Sequence, residues 1–229
     1  VTAKQVEDAI TSKTKAFLFS TPCNPTGSVY SRAELAELVV VFEKYPELII
    51  ISDEIYEHIN FLGEHVSIGQ FESIKDRVVT VNGVSKGFAM TGWRIGYLGA
   101  PKWIADACVK MQGQFTSGTC SIAQKAAQAA LEADPSVTSE MLATFEKRRA
   151  LVISKMKEIP GLKLNFPKGA FYVFPDVTSY FGKTDGETVI NNATDLTMYI
   201  LNKGLVALVT GEAFGDPNCI RISYAASEE

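Results

Sequence analysis

Over the first two thirds of the chain, short apolar runs rich in β-branched and aromatic residues alternate with stretches whose apolar positions recur at helical spacing. The runs at residues 15–20, 48–52, 78–82 and 94–99 are bounded by polar and turn-forming residues and predict strands. Between the first two, residues 32–44 predict a helix, with Ser31 and Glu34 spaced as a capping box at its start and Pro46 setting its end. Pro101 opens a helical region reaching towards residue 131, interrupted around Ser117-Gly118-Thr119. Residues 136–158 predict another helix, closed by Pro160-Gly161. Strands alternating with helices point to an α/β domain built on a mostly parallel sheet.

The texture changes from Leu162 onward. Apolar pieces at 163–166 and 170–175, a helix near 187–202, and β-rich pieces at 205–210 and 219–224 predict a smaller α+β domain. The expected division is therefore a large domain over residues 1–140 and a C-terminal small domain over 141–229. No internal repeat is visible.

Composition narrows the functional classes. Of 229 residues, 46% are hydrophobic and 21% charged, which excludes collagen-like and intrinsically disordered readings. The net charge is −4, from 22 basic and 26 acidic residues, and no basic block exceeds Lys147-Arg148-Arg149. Neither a nucleic-acid nor a membrane partner is expected from that balance. No apolar run approaches the roughly 18 residues of a membrane span. The opening Val1-Thr2-Ala3-Lys4-Gln5 reads as the start of a polar helix rather than a secretory leader. Cys23, Cys108, Cys120 and Cys219 form no CxxC pair and have only His58 and His65 for company, so no metal site is expected. Reduced thiols and a cytoplasmic location are the expectation. Asn192-Ala193-Thr194 fits a glycosylation pattern by chance.

In open α/β sheets ligands bind outside the carboxyl ends of the strands. Each predicted strand end here carries polar or ionisable groups: Asn24-Pro25-Thr26-Gly27 after the first, Asp53-Glu54-Ile55-Tyr56 after the second, Ser85-Lys86 after the third. Singly, these have ordinary readings as a turn, a helix cap and a surface lysine. Jointly, they suggest a site. Partial desolvation of Lys86, flanked by Gly87, Phe88 and Ala89, favours the neutral amine that Schiff-base chemistry needs. Ser85 and Arg94 offer a hydroxyl and a permanent guanidinium fork to a phosphate. Asp53 is the carboxylate that could partner a pyridinium nitrogen. Together these are the groups that pyridoxal phosphate requires.

The motifs Asn24-Pro25-Thr26-Gly27, Asp53-Glu54-Ile55-Tyr56, Ser85-Lys86-Gly87-Phe88-Ala89-Met90-Thr91-Gly92-Trp93-Arg94-Ile95-Gly96 and Cys219-Ile220-Arg221-Ile222-Ser223 resemble, in order and spacing, those of the class I/II aminotransferases. Those are fold type I pyridoxal-phosphate enzymes. Within them, the unbroken run from Ser85 to Tyr97 and the Thr210-Gly211-Glu212-Ala213-Phe214-Gly215 segment are most similar to the prokaryotic aspartate aminotransferase branch. The resemblance implies that Lys86 holds the coenzyme as a Schiff base and later moves the substrate α-proton. It implies that Asp53 keeps the pyridine nitrogen protonated, that Tyr56 and Asn24 hydrogen-bond the ring's phenolic oxygen, and that Ser85 and Arg94 bind the phosphate. Arg221 is implied to receive the substrate α-carboxylate, and Asn24 to contribute to binding the substrate.

The implied activity is transfer of an amino group between an L-amino acid, aspartate or glutamate, and a 2-oxo acid, by a cytoplasmic homodimer. A carbon-sulfur lyase, another amino-acid transaminase and a non-catalytic aminotransferase-like effector domain are alternatives on the same scaffold. The resemblance further implies an internal fragment, with a preceding segment supplying a ring-stacking aromatic and much of the phosphate cradle, and with sheet edges and apolar surface left bare. His58 and His65 are expected to be loop or surface residues, and Trp93, Trp103, Phe171, Tyr172 and Phe174 to be packing aromatics.

Overall fold

Helix α1 (Ala3–Ala9) starts where Thr2 and Gln5 form a reciprocal capping box, and α2 (Arg32–Glu43) starts at the same device made by Ser31 and Glu34. The computed structural model describes residues 1–227. Strands β1 (Ala16–Ser20), β2 (Ile49–Asp53), β3 (Val78–Gly83) and β4 (Gly96–Gly99) form one sheet in the order β1-β2-β3-β4. The first three run parallel, and β4 returns antiparallel to β3, so the expected mostly parallel sheet is present. The register sets Ser20 beside Asp53 and Asp53 beside Val81, which aligns the carboxyl ends of β1, β2 and β3.

α1 and α2 cover one face of this sheet. Leu35, Leu38 and Phe42 of α2 pack with Val6, Leu48, Ile50 and Val78 in a core closed by Ile68 and Ile74. At and beyond the carboxyl end of α2, where the Tyr45 and Leu48 amides already bond the carbonyls of Phe42 and Tyr45, Arg77 adds further donors. Its guanidinium reaches the carbonyls of Phe42, Tyr45 and Leu48 at 2.8, 2.8 and 2.9 Å. This fixes the approach of the α2–β2 loop, and with it the level at which β2 ends. Downstream lie α3 (Lys102–Phe115), α4 (Ser121–Leu131) and α5 (Ser136–Lys157). The outer strands of this four-stranded sheet are β1 and β4, and Leu18, Val109, Phe115 and Ile122 are each at least 68% exposed.

The chain divides into two units: Val1–Pro22 with Val29–Glu140, and Cys23–Ser28 with Met141–Glu229. The short Cys23–Ser28 segment, expected in the large domain, belongs with the second unit, and the division falls within α5. In the second unit β5 (Tyr172–Val173), β6 (Val209–Thr210) and β7 (Ile220–Ser223) make a small antiparallel sheet in the order β5-β7-β6. Helix α6 (Ala193–Gly204) packs with Val177, Ile190 and Ile220 around Ala193 and Leu196.

The elements of this unit are shorter than their sequence pattern, the pieces expected at 170–175 and 219–224 reducing to β5 and β7. The expected strand at 163–166 is only a bridge between Lys163 and Asp176, because the Phe174 amide, which would continue the antiparallel ladder opposite residue 165, donates instead to the Asn165 side chain at 2.8 Å. α6 begins late because Asn192, whose side chain accepts from the Asp195 amide at 2.8 Å, caps it there. The strand expected from 205 begins at Val209, because Leu205 takes the left-handed conformation that ends α6. Asn192 is thus a helix cap, an ordinary structural use for the asparagine of a chance glycosylation pattern.

Candidate active site

In the first unit, Asp53 is the last residue of β2 and is half-buried. Its carbonyl accepts from the Thr21 amide at 3.0 Å, while the next amide, of Glu54, donates to Val81 at 2.8 Å. Asp53 Oδ1 also accepts from the Ile55 amide at 3.1 Å, so one oxygen of this carboxylate stabilises the turn that follows. Tyr56 stands in that turn, 4% exposed.

β3 ends at Gly83, and residues 85–88 form the next turn, with the Ala89 amide donating to the Lys86 carbonyl at 3.1 Å. Ser85 and Lys86 are both half-buried. The two turns touch. A Cβ added at Gly87 would lie 2.7 Å from His58 Cδ2, and the Phe88 ring meets the His58 ring edge-on with centroids 5.1 Å apart. Only glycine lets the lysine-bearing turn approach the Asp53–Tyr56 turn this closely. Beyond the last pair of the β3–β4 ladder, Gly83 with Gly96, Ser85 and Arg94 each stand two residues further on. Arg94 is exposed, adopts the left-handed conformation at φ 53°, and donates from Nη1 to the Thr91 carbonyl at 2.9 Å. A carboxylate, a phenol, a hydroxyl, an amine and a guanidinium are thus gathered at the carboxyl ends of β2 and β3. This donor set fits a phosphorylated pyridine aldehyde.

The second unit holds Asn24 and Arg221. The turn carrying Asn24 is closed by the Gly27 amide on Cys23 O at 2.8 Å and tied down by the Lys168 and Gly169 amides, both donating to Gly27 O at 2.8 and 2.9 Å. Asn165 holds it further through a 2.6 Å bond to the Thr26 carbonyl. Arg221, on β7, donates from Nη1 to Asn24 Oδ1 at 2.8 Å. Its guanidinium carbon lies 4.6 Å from the centroid of the Tyr172 ring and 4.8 Å from that of Phe214. Aromatic faces therefore attract the cation and limit its tilt, which suits an in-plane, two-point grip on a carboxylate.

Beside Arg221, burial and then the neighbouring Asp216 carboxylate push the Cys219 thiol up to about 12, so it stays protonated and inert. Burial likewise raises the Tyr224 phenol, whose hydroxyl donates to the Ala170 carbonyl at 3.1 Å.

The family model described as "Aminotransferase class I and II" matches residues 1–229. The chain belongs to the class I and II aminotransferase family. A Petunia hybrida relative, named a bifunctional aspartate aminotransferase and glutamate/aspartate-prephenate aminotransferase, is 48% identical over 229 residues, covering 98% of this chain and 48% of the relative. An aspartate/prephenate aminotransferase of Nitrosomonas europaea is 41% identical, over 99% of this chain and 58% of its own length. The crystal structure of the Rhizobium meliloti aspartate aminotransferase superposes with a TM-score of 0.95 at 41% identity, covering 100% of this chain and 58% of that one. This aminotransferase chain therefore spans about half to three fifths of the length of the relatives it matches.

Within this aminotransferase chain, Asp53, Tyr56, Ser85, Lys86 and Arg94 fall in one unit, at adjacent strand ends and the start of β4. Asn24 and Arg221 fall in the other and are directly hydrogen-bonded. Several expectations need correction. Trp93 and Trp103 are 46% and 59% exposed, so neither is a core aromatic among the described residues. Tyr172 is buried, yet its ring face also holds Arg221, a role its sequence context does not announce. Phe214 also flanks Arg221, and its place in the Thr210–Gly215 motif is the sequence signal for that role. His65 lies in a loop, one of its two expected places, but away from the surface: its side chain is 14% exposed and lies 2.8 Å from the Glu54 carboxylate.

Proposed function

We propose that the protein containing this chain transfers an amino group from L-aspartate or L-glutamate to a 2-oxo acid, with pyridoxal 5′-phosphate as its coenzyme and as a cytoplasmic homodimer. Membership of the aminotransferase family supports the reaction class, and the names of the relatives support aspartate, with prephenate as a further oxo-acid acceptor to test. The observation that carries the coenzyme assignment is the contact of the two turns through Gly87 and His58, which brings the Lys86 segment beside that of Asp53 and Tyr56.

When bound, the coenzyme supplies an electrophilic carbonyl and an electron sink for the α-carbon's electron pair. Lys86 would hold the coenzyme through its amine and, when that amine is free, would be the base and acid that moves the proton from the substrate α-carbon. Asp53 holds a proton on the pyridine nitrogen through an ion pair, which keeps the ring electron-poor. Tyr56 and Asn24 direct hydrogen-bond donors at the phenolic oxygen. Ser85 and Arg94 bind phosphate oxygens, and Arg221 forks onto the substrate α-carboxylate.

The test is an assay of the full-length protein with L-aspartate and 2-oxoglutarate, then with prephenate as acceptor, following oxaloacetate and the new amino acid. Formation of both products supports transamination. Release of sulfide or pyruvate from a sulfur amino acid, with no amino transfer, would assign the scaffold to a lyase instead.

A further inference from the structure

Glu54 is a carboxylate that the proposed reaction does not use, and it is 2% exposed. Burying such a group costs several kcal/mol unless hydrogen bonds or an opposite charge replace its water. Here they do. Ser52 Oγ and Ser67 Oγ donate to Oε1 at 2.9 and 2.8 Å, and His65 Nε2 lies 2.8 Å from Oε2. His65 Nδ1 is buried with no partner among the described residues, so the imidazole makes its bond through Nε2 alone. Glu57 is close enough that Glu54, Glu57 and His65 could share an ion. Both carboxylates, however, already have protein donors, Glu57 Oε1 taking the Asn82 amide at 2.8 Å.

The position of this network along β2 gives it a use. Side chains alternate across a strand, and in β2 the buried positions are Ile50 and Ser52, with Glu54 continuing the same face beyond the strand end. Asp53 therefore faces the other way. Glu54 still pairs as strand through its amide to Val81, so a rotation of its backbone would turn the Asp53 carboxylate with it. Three side-chain donors clamp Glu54 from segments before and after it in the chain, Ser52 from within β2 and His65 and Ser67 from beyond the turn. We propose that Glu54, held by His65, Ser52 and Ser67, is a positioning residue that fixes the backbone at the exit of β2 and so the aim of Asp53 at the coenzyme. This rests on the coenzyme reading above.

The experiment compares Asp53→Asn, Glu54→Gln, His65→Leu and His65→Gln in the full-length protein loaded with pyridoxal phosphate. It reads the visible absorption band of the bound coenzyme at fixed pH, kcat and KM for L-aspartate, and the melting temperature. Glu54→Gln and His65→Leu are expected to shift the band in the same direction as Asp53→Asn but less far. They should lower kcat by about 10- to 100-fold, the usual cost of losing a group that orients a reacting one, with KM changed less than about threefold. His65→Gln keeps a donor for Glu54 and should recover most of the loss. If Asp53→Asn leaves band and turnover unchanged, the coenzyme reading fails. If Asp53→Asn changes them and the Glu54 and His65 variants only melt lower, with the wild-type band and kcat, Glu54 is structural and the inference is overturned. Should Glu54→Gln not fold, Ser67→Ala removes one of three donors and must show the same band shift at smaller size; an unmoved band there overturns the inference too.

Discussion

Arg221 Nη1 donates to Asn24 Oδ1 at 2.8 Å, joining a β-strand near the end of the chain to a turn near its beginning. The same guanidinium rests against Tyr172 and Phe214, at 4.6 and 4.8 Å from the ring centroids. One edge of the fork is thus held by an amide oxygen, and its flanks are occupied by rings. The rest of the planar donor array is left with a defined direction, which is the geometry a carboxylate requires.

Replacing that fork tests it. Arg221→Lys keeps the charge and loses the planar pair of donors, so kcat/KM in the full-length protein is expected to fall by about 10- to 100-fold for every amino acid, the equivalent of one charged hydrogen bond. Coenzyme affinity should not change. Tyr172→Leu should raise KM in the same sense by a smaller factor, and Tyr172→Phe, which keeps the ring, should not. Steady-state kinetics over a panel of amino acids, with coenzyme titration alongside, decides it; wild-type kinetics for Arg221→Lys would leave the residue a packing cation.

Lys86 is assigned as both the attachment point and the proton carrier. Borohydride treatment of the loaded protein should leave a phosphopyridoxyl group on the peptide containing Lys86, read by mass spectrometry. Lys86→Ala should bind coenzyme without covalent attachment and lose turnover. A label on any other lysine contradicts the assignment.

For Asp53 the expectation is an order. Asp53→Glu keeps a charge but displaces it, and Asp53→Asn removes the charge that holds the ring proton, so activity should fall from wild type to Glu to Asn. Loss of a preorganised electrostatic partner raises a barrier by roughly 2.7 to 4 kcal/mol, the scale expected for Asn. Because Oδ1 also takes the Ile55 amide, Asn preserves that turn bond, and a fully active Asn variant would reduce Asp53 to a turn residue.

Much of this was legible in sequence because it is local. Ser31 and Glu34 announce the start of α2, alternation of strand and helix announces a mostly parallel sheet, and Asp53 and Lys86 each fall just at or past a predicted strand, although that β2 and β3 are neighbours is seen only in the fold. What sequence did not disclose is held by contacts between distant residues. Tyr172 and Phe214 read as ordinary apolar positions until β5 and β7 pair and bring Arg221 against them. Glu54 reads as half of a polar strand end, and only the return of the chain through His65 and Ser67 makes it a clamped, buried carboxylate. The strand shortened at Val209 yielded to a left-handed cap at Leu205, a conformation that a leucine in an apolar run gives no reason to expect.

The cysteines should differ in reactivity with a sign that can be worked out. Cys219 is pushed up to about 12 by burial and by Asp216, so its thiolate is scarce at neutral pH and its alkylation should become appreciable only as pH approaches that value. Cys120, exposed at the start of α4, is lowered by the Ala123 and Ile122 amides and should react first. Timed iodoacetamide labelling at pH 7 and 9 with peptide mapping checks the order; early modification of Cys219 in the folded protein would contradict the burial seen here.

The last expectation concerns Gly27, on which the orientation of Asn24 depends. Its φ is +66°, a conformation that costs an L side chain roughly 1–2 kcal/mol. An added Cβ would also run into Pro167 and the carbonyl oxygen of Gly169. Those neighbours cannot simply withdraw, because the Lys168 and Gly169 amides both donate to the Gly27 carbonyl. Gly27→Ala should therefore open this turn, lower stability by more than the conformational cost alone, and release Asn24 from Arg221. Its kinetic signature should then match that of Asn24→Ala, with raised KM for the amino acid, while Ser28→Ala, exposed at the end of the same turn, should leave KM unchanged. If Gly27→Ala melts lower yet keeps a wild-type KM, the Asn24–Arg221 bond does not depend on this turn, and the carboxylate grip must be maintained by the aromatic flanks alone.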